Sequence, residues 1–238
     1  MDTVTDTAAN APHSQTLSRG IRVLEVLAEA DGGLTIADLA AAIGVHRSIV
    51  YRILRTLEDH GLVIRDAAGG VRLGPRMATL ARGVERTLQS SALPELTAVA
   101  NELGMTAFLV VLEHLECVTL LSVEPRVGPA TVAQRPGTRH SLAVGAPGLA
   151  LQSLLTDREL AEHGSVERRD DDGAVGTRGY ATSHDEVIAG LRSIAVPLSV
   201  PGSLPASLAV VYVSSSLDDA GIGARLVAAR DAILAGSR

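Results

Sequence analysis

Between His46 and His60 the chain carries Arg47, Ser48, Tyr51, Arg52 and Arg55, with no acid among them. Guanidinium, hydroxyl and phenol groups are the donors that reach phosphate oxygens and base edges, and Arg to guanine O6 and N7 is the commonest specific contact. Ile49, Val50, Ile53, Leu54 and Leu57 fall on the complementary arc of about 140° when successive residues turn by about 100°. One face of this helix therefore suits a core and the other suits DNA. On an isolated amphipathic helix a basic face is more often simply solvated, so the neighbouring elements decide between the two.

Those neighbours form a pattern. Ser18 precedes apolar Ile21, Val23, Leu24, Leu27 and Ala28, which predicts a first helix that Asp31-Gly32-Gly33 stops. Thr35 with Asp38 forms a capping-box signal ahead of Ile36, Leu39, Ala40 and Ile43, and Gly44 closes that second helix in a left-handed turn. A short helix, a tight glycine turn and a basic helix make a helix-turn-helix. Leu62–Arg65 and Val71–Leu73, around Gly69-Gly70, predict a hairpin that serves as its wing. The expected DNA contacts are Thr35, His46, Arg47, Ser48, Tyr51, Arg52, Arg55, Arg65 and Arg72. This winged helix-turn-helix spans residues 16–74, after a polar lead at 1–15 that reads as disordered.

Composition narrows the rest. All 21 basic residues are arginine, which excludes a Gly-Lys-Ser/Thr phosphate loop, Schiff-base chemistry and Ser-x-x-Lys acylation. The single Cys117 excludes an internal disulfide and multi-cysteine zinc modules. No nucleophile elbow, His-Glu-x-x-His or complete Gly-x-Gly-x-x-Gly occurs. His114 and Cys117 fall on opposite faces of a strand, and Asp170-Asp171-Asp172 reads as a solvated loop, so no metal or cofactor and no enzyme activity is expected. Residues 1–88 hold ten Arg and ten acids, whereas 89–238 hold eleven Arg and seventeen acids, so the whole net charge of −6 lies in the second part. Two modules with different partners are implied. The acidic N-terminus lacks a signal-peptide pattern and no apolar run approaches the roughly 18 residues of a membrane helix, which suggests a cytoplasmic protein.

Pro75 opens a predicted linker helix over 75–89 with Met77, Leu80, Ala81, Val84 and Leu88 at helical spacing, and a further helix follows at Leu93–Leu103. From 90 to 238 the pattern turns to short strands, at Ala107–Leu112, Cys117–Val123, Ala130–Ala133, Ser193–Leu198 and Ser207–Val213. Helices are expected among them at Ala150–Leu155, His184–Leu191 and Asp218–Leu234. The fold class is α+β on a largely antiparallel sheet.

The run from Ser18 to Gly83 resembles the N-terminal domain of the IclR-type transcriptional regulators, through its Arg-Gly start, the Leu-Thr-x-x-Asp-Leu-Ala second helix, Arg52-Ile53-Leu54 and Arg72-Leu73-Gly74. His46 and Arg47 depart from the Pro and Lys or Asn that many members carry there. Arg135–Leu142, Gly145–Ala150, Arg178–Ser183, His184–Gly190 and Leu191–Pro197 resemble the family's second domain, so the likeness runs over about residues 16 to 235. It implies a GAF-like effector-binding domain at 90–238, a linker that assists dimerisation, and a one-component regulator, more often a repressor, acting as a homodimer or dimer of dimers. By the same resemblance the effector pocket comprises Leu142, Ala146, Pro147, Gly148, Ser183, Leu191, Ser193, Ala209 and Val211. The helix after Gly148 would offer N–H groups to a carboxylate, and the scarcity of aromatic residues favours a small aliphatic acid over a flat ring. An enzyme domain fused to a DNA-binding module, and a DNA-binding interaction protein without a ligand, are the rival readings.

Overall fold

The computed structural model describes residues 14–126, 132–162, 166–169 and 172–236. The polar lead up to residue 13, part of the strand expected at Ala130–Ala133, and Asp170 and Asp171 lie outside them. The chain divides into two compact units, Met1–Val84 and Glu85–Arg238.

In the first unit α1 (Gln15–Glu29) begins a turn before the expected Ser18, because the Ser14 hydroxyl caps the Leu17 N–H. The Thr35–Asp38 capping box starts α2 (Ile36–Ile43), and Gly44 ends it at φ 68°, a left-handed backbone that glycine adopts without penalty. Three residues after Gly44, α3 (Arg47–Asp59) starts. Strands β1 (Val63–Arg65) and β2 (Val71–Leu73) pair antiparallel, and Leu34 bridges to Val71 as a third rung. The Asp66 carboxylate accepts from the Ala68 and Gly70 N–H groups and so folds the loop between them. Val50, Ile53, Leu54 and Leu57 of α3 pack with Val23, Leu27, Leu39, Val63 and Val71 as one core.

The linker helix expected over 76–89 is two helices, α4 (Arg76–Ala81) and α5 (Arg86–Leu103), the second of which absorbs the separate helix expected from Leu93. The break falls at Glu85, which is left-handed at φ 45° and whose carboxylate accepts from the Leu204 N–H, 119 residues away.

The second unit then runs β3 (Thr106–Glu113), β4 (Glu116–Val123), β5 (Arg139–Ser141), α6 (Gly145–Gln152), α7 (Asp157–Glu162), α8 (Asp172–Arg178), β6 (Ala181–His184), β7 (Arg192–Leu198), β8 (Ala206–Tyr212) and α9 (Asp219–Gly236). Among the described residues the strands order β5-β4-β3-β8-β7-β6, antiparallel at every pairing. Alternate residues serve opposite faces. Leu208 and Val210 pack towards α5 and α9, whereas Ala209 and Val211 join the core that holds α6. With both faces covered, β3 and β8 read as continuous apolar runs.

Two expected helices differ. The one placed at Ala150–Leu155 begins earlier, at Gly145, since Pro147 in the first turn has no N–H that the helix needs. The one placed at His184–Leu191 is instead the end of β6 and the loop into β7, closed by Asp185, which is left-handed and accepts from the Gly190 N–H.

Gly148 lies inside α6, where a Cβ would stand 2.5 Å from the Leu142 carbonyl oxygen, whereas a Cβ on Gly176 of α8 would meet nothing within 4 Å. Gly148→Ala is therefore expected to cost about 1–3 kcal/mol by overpacking. Gly176→Ala should be neutral or stabilise by up to about 1 kcal/mol. Denaturant unfolding of the two variants checks the contrast.

Candidate DNA interface and effector cavity

On α3 the buried face leaves Arg47, Ser48, Tyr51, Arg52 and Arg55 exposed together. Arg47, Arg52 and Arg55 form no ion pair among the described residues. His46 is the N-cap: its Nδ1 accepts from the Ser48 N–H at 3.3 Å and lies 2.9 Å from Ser48 Oγ. An accepting Nδ1 puts the neutral ring's proton on Nε2, leaving a donor for a phosphate or base. Two of the expected contacts have other employment. The Thr35 hydroxyl is engaged in the capping box, donating to Asp38 at 2.7 Å, so its contribution to an interface rests on the α2 N-terminus rather than a free hydroxyl. Arg65 on the wing is bound to Glu58 at 2.5 Å and lies 5.9 Å from the Tyr51 ring centroid. Arg72 is exposed on β2.

The second unit holds a cavity of about 50 Å³ between the α6 face of the sheet and the 186–191 loop. At about 10–15 Å³ per water, that is room for a few waters or one small molecule. Of the residues expected there, Pro147, Ser183, Leu191, Ser193 and Val211 line it. Leu142, Ala146, Gly148 and Ala209 are not among its lining; Leu142, Ala146 and Ala209 are fully buried in the core beneath it, and Gly148 packs on Leu142. At Gly148 the small residue serves packing rather than a pocket wall, because the Leu142 backbone stands where its Cβ would be.

The lining also includes Phe108, Gln134, His140, Glu186 and Arg192, none singled out from the sequence. His140 and Glu186 stand inside quoted motifs, and a polar residue beside a turn was the available signal. Burial lowers the His140 imidazole below its ordinary range, against the opposing pull of the Ser141 carbonyl, so the ring is neutral at pH 7.

The helix entry itself corrects an expectation. The Gly145 N–H donates to Glu186 Oε2 at 2.8 Å and the Ala146 N–H donates to Ser183 Oγ at 2.9 Å, so these donors are engaged within the chain. Arg169 grips the same carboxylate, at 2.5 Å to Oε2 and 3.1 Å to Oε1. Burial pushes the Glu186 carboxyl up, but the Arg169 hydrogen bonds, the Gly145 N–H and the Arg169 charge outweigh it, and the group lies below the ordinary glutamate range. Cys117 is buried, its thiol pushed up to about 12 by burial and the Glu116 charge, and so it is poorly suited to act as a nucleophile. Among the described residues no three His, Cys, Asp or Glu side chains gather in a way that could hold a metal ion, and no helix is long and apolar enough to cross a membrane.

The IclR helix-turn-helix domain model matches residues 16–67. The glycerol operon regulatory protein of Streptomyces coelicolor is 30% identical over 207 residues, covering 79% of this chain and 80% of that one. This chain belongs to the IclR family of transcriptional regulators. The transcriptional repressor IclR of Escherichia coli is 23% identical over 208 residues, or 79% of this chain and 76% of its own length. The fold matches that of an IclR homolog from Microbacterium hydrocarbonoxydans complexed with 4-hydroxybenzoate, at a TM-score of 0.81, 23% identity and coverage of 94% and 99% of the two chains. The family thus reads the exposed α3 face as part of a DNA-binding module.

The Glu58–Arg65 pair engages one wing cation. Glu58→Gln should free it, raising affinity for any duplex and steepening the dependence of log K on log salt by about one. Titration of a duplex at several salt concentrations measures that slope.

Proposed function

We propose that this regulator grips operator DNA with α3 in the major groove and the 65–72 hairpin on the adjacent backbone, and that a small molecule in the sheet cavity alters the grip. The observation that carries the reading is the row of exposed, ion-pair-free Arg47, Arg52 and Arg55 on a helix whose other face is core. Repression is the favoured polarity, supported by the name of the Escherichia coli relative. A dimer is the favoured state, because twofold symmetry sets two recognition helices about 34 Å apart on one DNA face. Leu17 and Ile21, exposed on α1, supply apolar surface that a second copy would cover. The 4-hydroxybenzoate held by the structural relative supports a small-molecule role for the cavity, whose described lining includes the Phe108 and His140 rings.

Residues near the N-terminus of a recognition helix reach base edges, and later ones reach phosphates. Arg47→Ala and Ser48→Ala should therefore relax sequence preference, with a loss of about 1–3 kcal/mol where a bidentate base contact goes. Arg55→Ala should weaken all duplexes alike and lower the salt slope by about one. Competition between a duplex selected from genomic fragments and a random one decides this; unchanged binding by all three variants would refute the assignment of α3.

For the cavity, Ser193→Trp should fill the space and abolish any effector-induced change in operator affinity, typically about 5–150-fold, while affinity without effector stays that of the parent. Gel-shift titrations in the presence of metabolite pools test it.

A further inference from the structure

The cavity offers several free acceptors. His140 Nδ1 lies 3.1 Å from the Ser141 carbonyl, which can only accept, so Nδ1 carries the proton and Nε2 is left as an acceptor. The Ser193 hydroxyl donates to the Val210 carbonyl at 2.8 Å, which leaves its oxygen able to accept. The Gln134 amide nitrogen donates to Thr119 Oγ1 at 2.9 Å, which leaves the amide oxygen and one N–H. Of the nearby donors, the Gly145 and Ala146 N–H groups are engaged by Glu186 and Ser183, Arg169 binds Glu186, and Nη2 of Arg192 binds Asp219 at 3.1 and 3.2 Å.

Charge points the same way. The Glu186 carboxylate occupies the seat, between the Gly145 N–H and the Arg169 guanidinium, where an anionic ligand would find both a helix N-terminus and a cation. A ligand carboxylate must either evict a tethered competitor or sit beside a like charge. A ligand ammonium finds no anion to pair with, since Glu186 is already neutralised by Arg169. Gly145 permits the arrangement: it is left-handed at φ 81°, and a Cβ there would stand 2.8 Å from Val187 Cγ2.

We infer that Glu186 is a specificity-determining residue that excludes carboxylates, and that the cavity takes an uncharged small molecule bearing hydroxyl donors, of the class of vicinal diols and triols. This deepens the effector reading and rests on it. The ligand's hydroxyls would donate to His140, Ser193, Gln134 and the remaining lone pair of Glu186 Oε1, and its carbon skeleton would lie against Phe108 and Val211.

The test is calorimetric titration of the full chain with matched alcohol and acid pairs: glycerol with glycerate, and propane-1,2-diol with lactate. The parent should bind each alcohol at least about tenfold tighter than its acid. Glu186→Gln, which keeps the side chain's shape and an accepting oxygen, should shrink or reverse that preference, because the Glu186 charge that competes with a ligand carboxylate is then gone. Glu186→Ala vacates the seat, so acetate should bind and stabilise that variant saturably while leaving the parent's melting temperature unchanged. Acids bound as tightly as alcohols by the parent, no saturable binding of either alcohol, or an alcohol-to-acid ratio unmoved by both substitutions would overturn the inference. The effector reading itself fails on a different result, namely that no uncharged or acidic compound in a broad metabolite screen changes operator affinity.

Discussion

Everything in the DNA-binding unit depends on the burial of one side of α3. Val50, Ile53, Leu54 and Leu57 supply much of a small core, and a fully buried leucine among them contributes about 2–5 kcal/mol against truncation. That anchoring turns the opposite side outward, so the rotational position of Arg47, Ser48, Arg52 and Arg55 is set by packing rather than by the arginines themselves. The left-handed Gly44 and the His46 cap fix where the helix begins.

In the second unit the corresponding constraint is the Glu186 carboxylate at the α6 entry. It satisfies a helix N-H that would otherwise be orphaned, holds Arg169, and keeps the 185–190 loop over α6. Burial of such a charge is tolerable only because it is paired and hydrogen-bonded at once. The same pairing engages the Gly145 N–H and the Arg169 guanidinium at the α6 entry. Polar lining of this kind, set into an apolar wall of Phe108 and Val211, suits a small ligand oriented by a few hydrogen bonds.

How far each part could be read from sequence follows from the range of the forces that determine it. The helix-turn-helix was legible because its signals are local: the Thr35–Asp38 box, Gly44, and an apolar period within thirteen residues of α3. The paired strands β3, β4, β7 and β8 were legible as β-branched runs, and their burial on both faces explains why they lacked alternation. The break at Glu85 was not legible, since its carboxylate answers to Leu204. Nor was the α6 entry, where Gly145 and Glu186 stand 41 residues apart and Arg169 lies in a polar stretch with no periodicity. The helix expected over His184–Leu191 is instead the end of β6, which pairs with β7, and a loop after it, and Val187 and Ile188 are exposed on that loop.

Because every basic side chain is arginine, dicarbonyl footprinting reports the whole cationic surface with a single chemistry. The decisive measurement is the modification rate of each arginine with and without a bound operator duplex. The account predicts strong protection at Arg47, Arg52 and Arg55, weaker protection at Arg72, and unchanged rates at Arg192 and Arg225, which are paired within the second unit. Protection confined to the second unit, with the three α3 arginines as reactive as in the free protein, would contradict it.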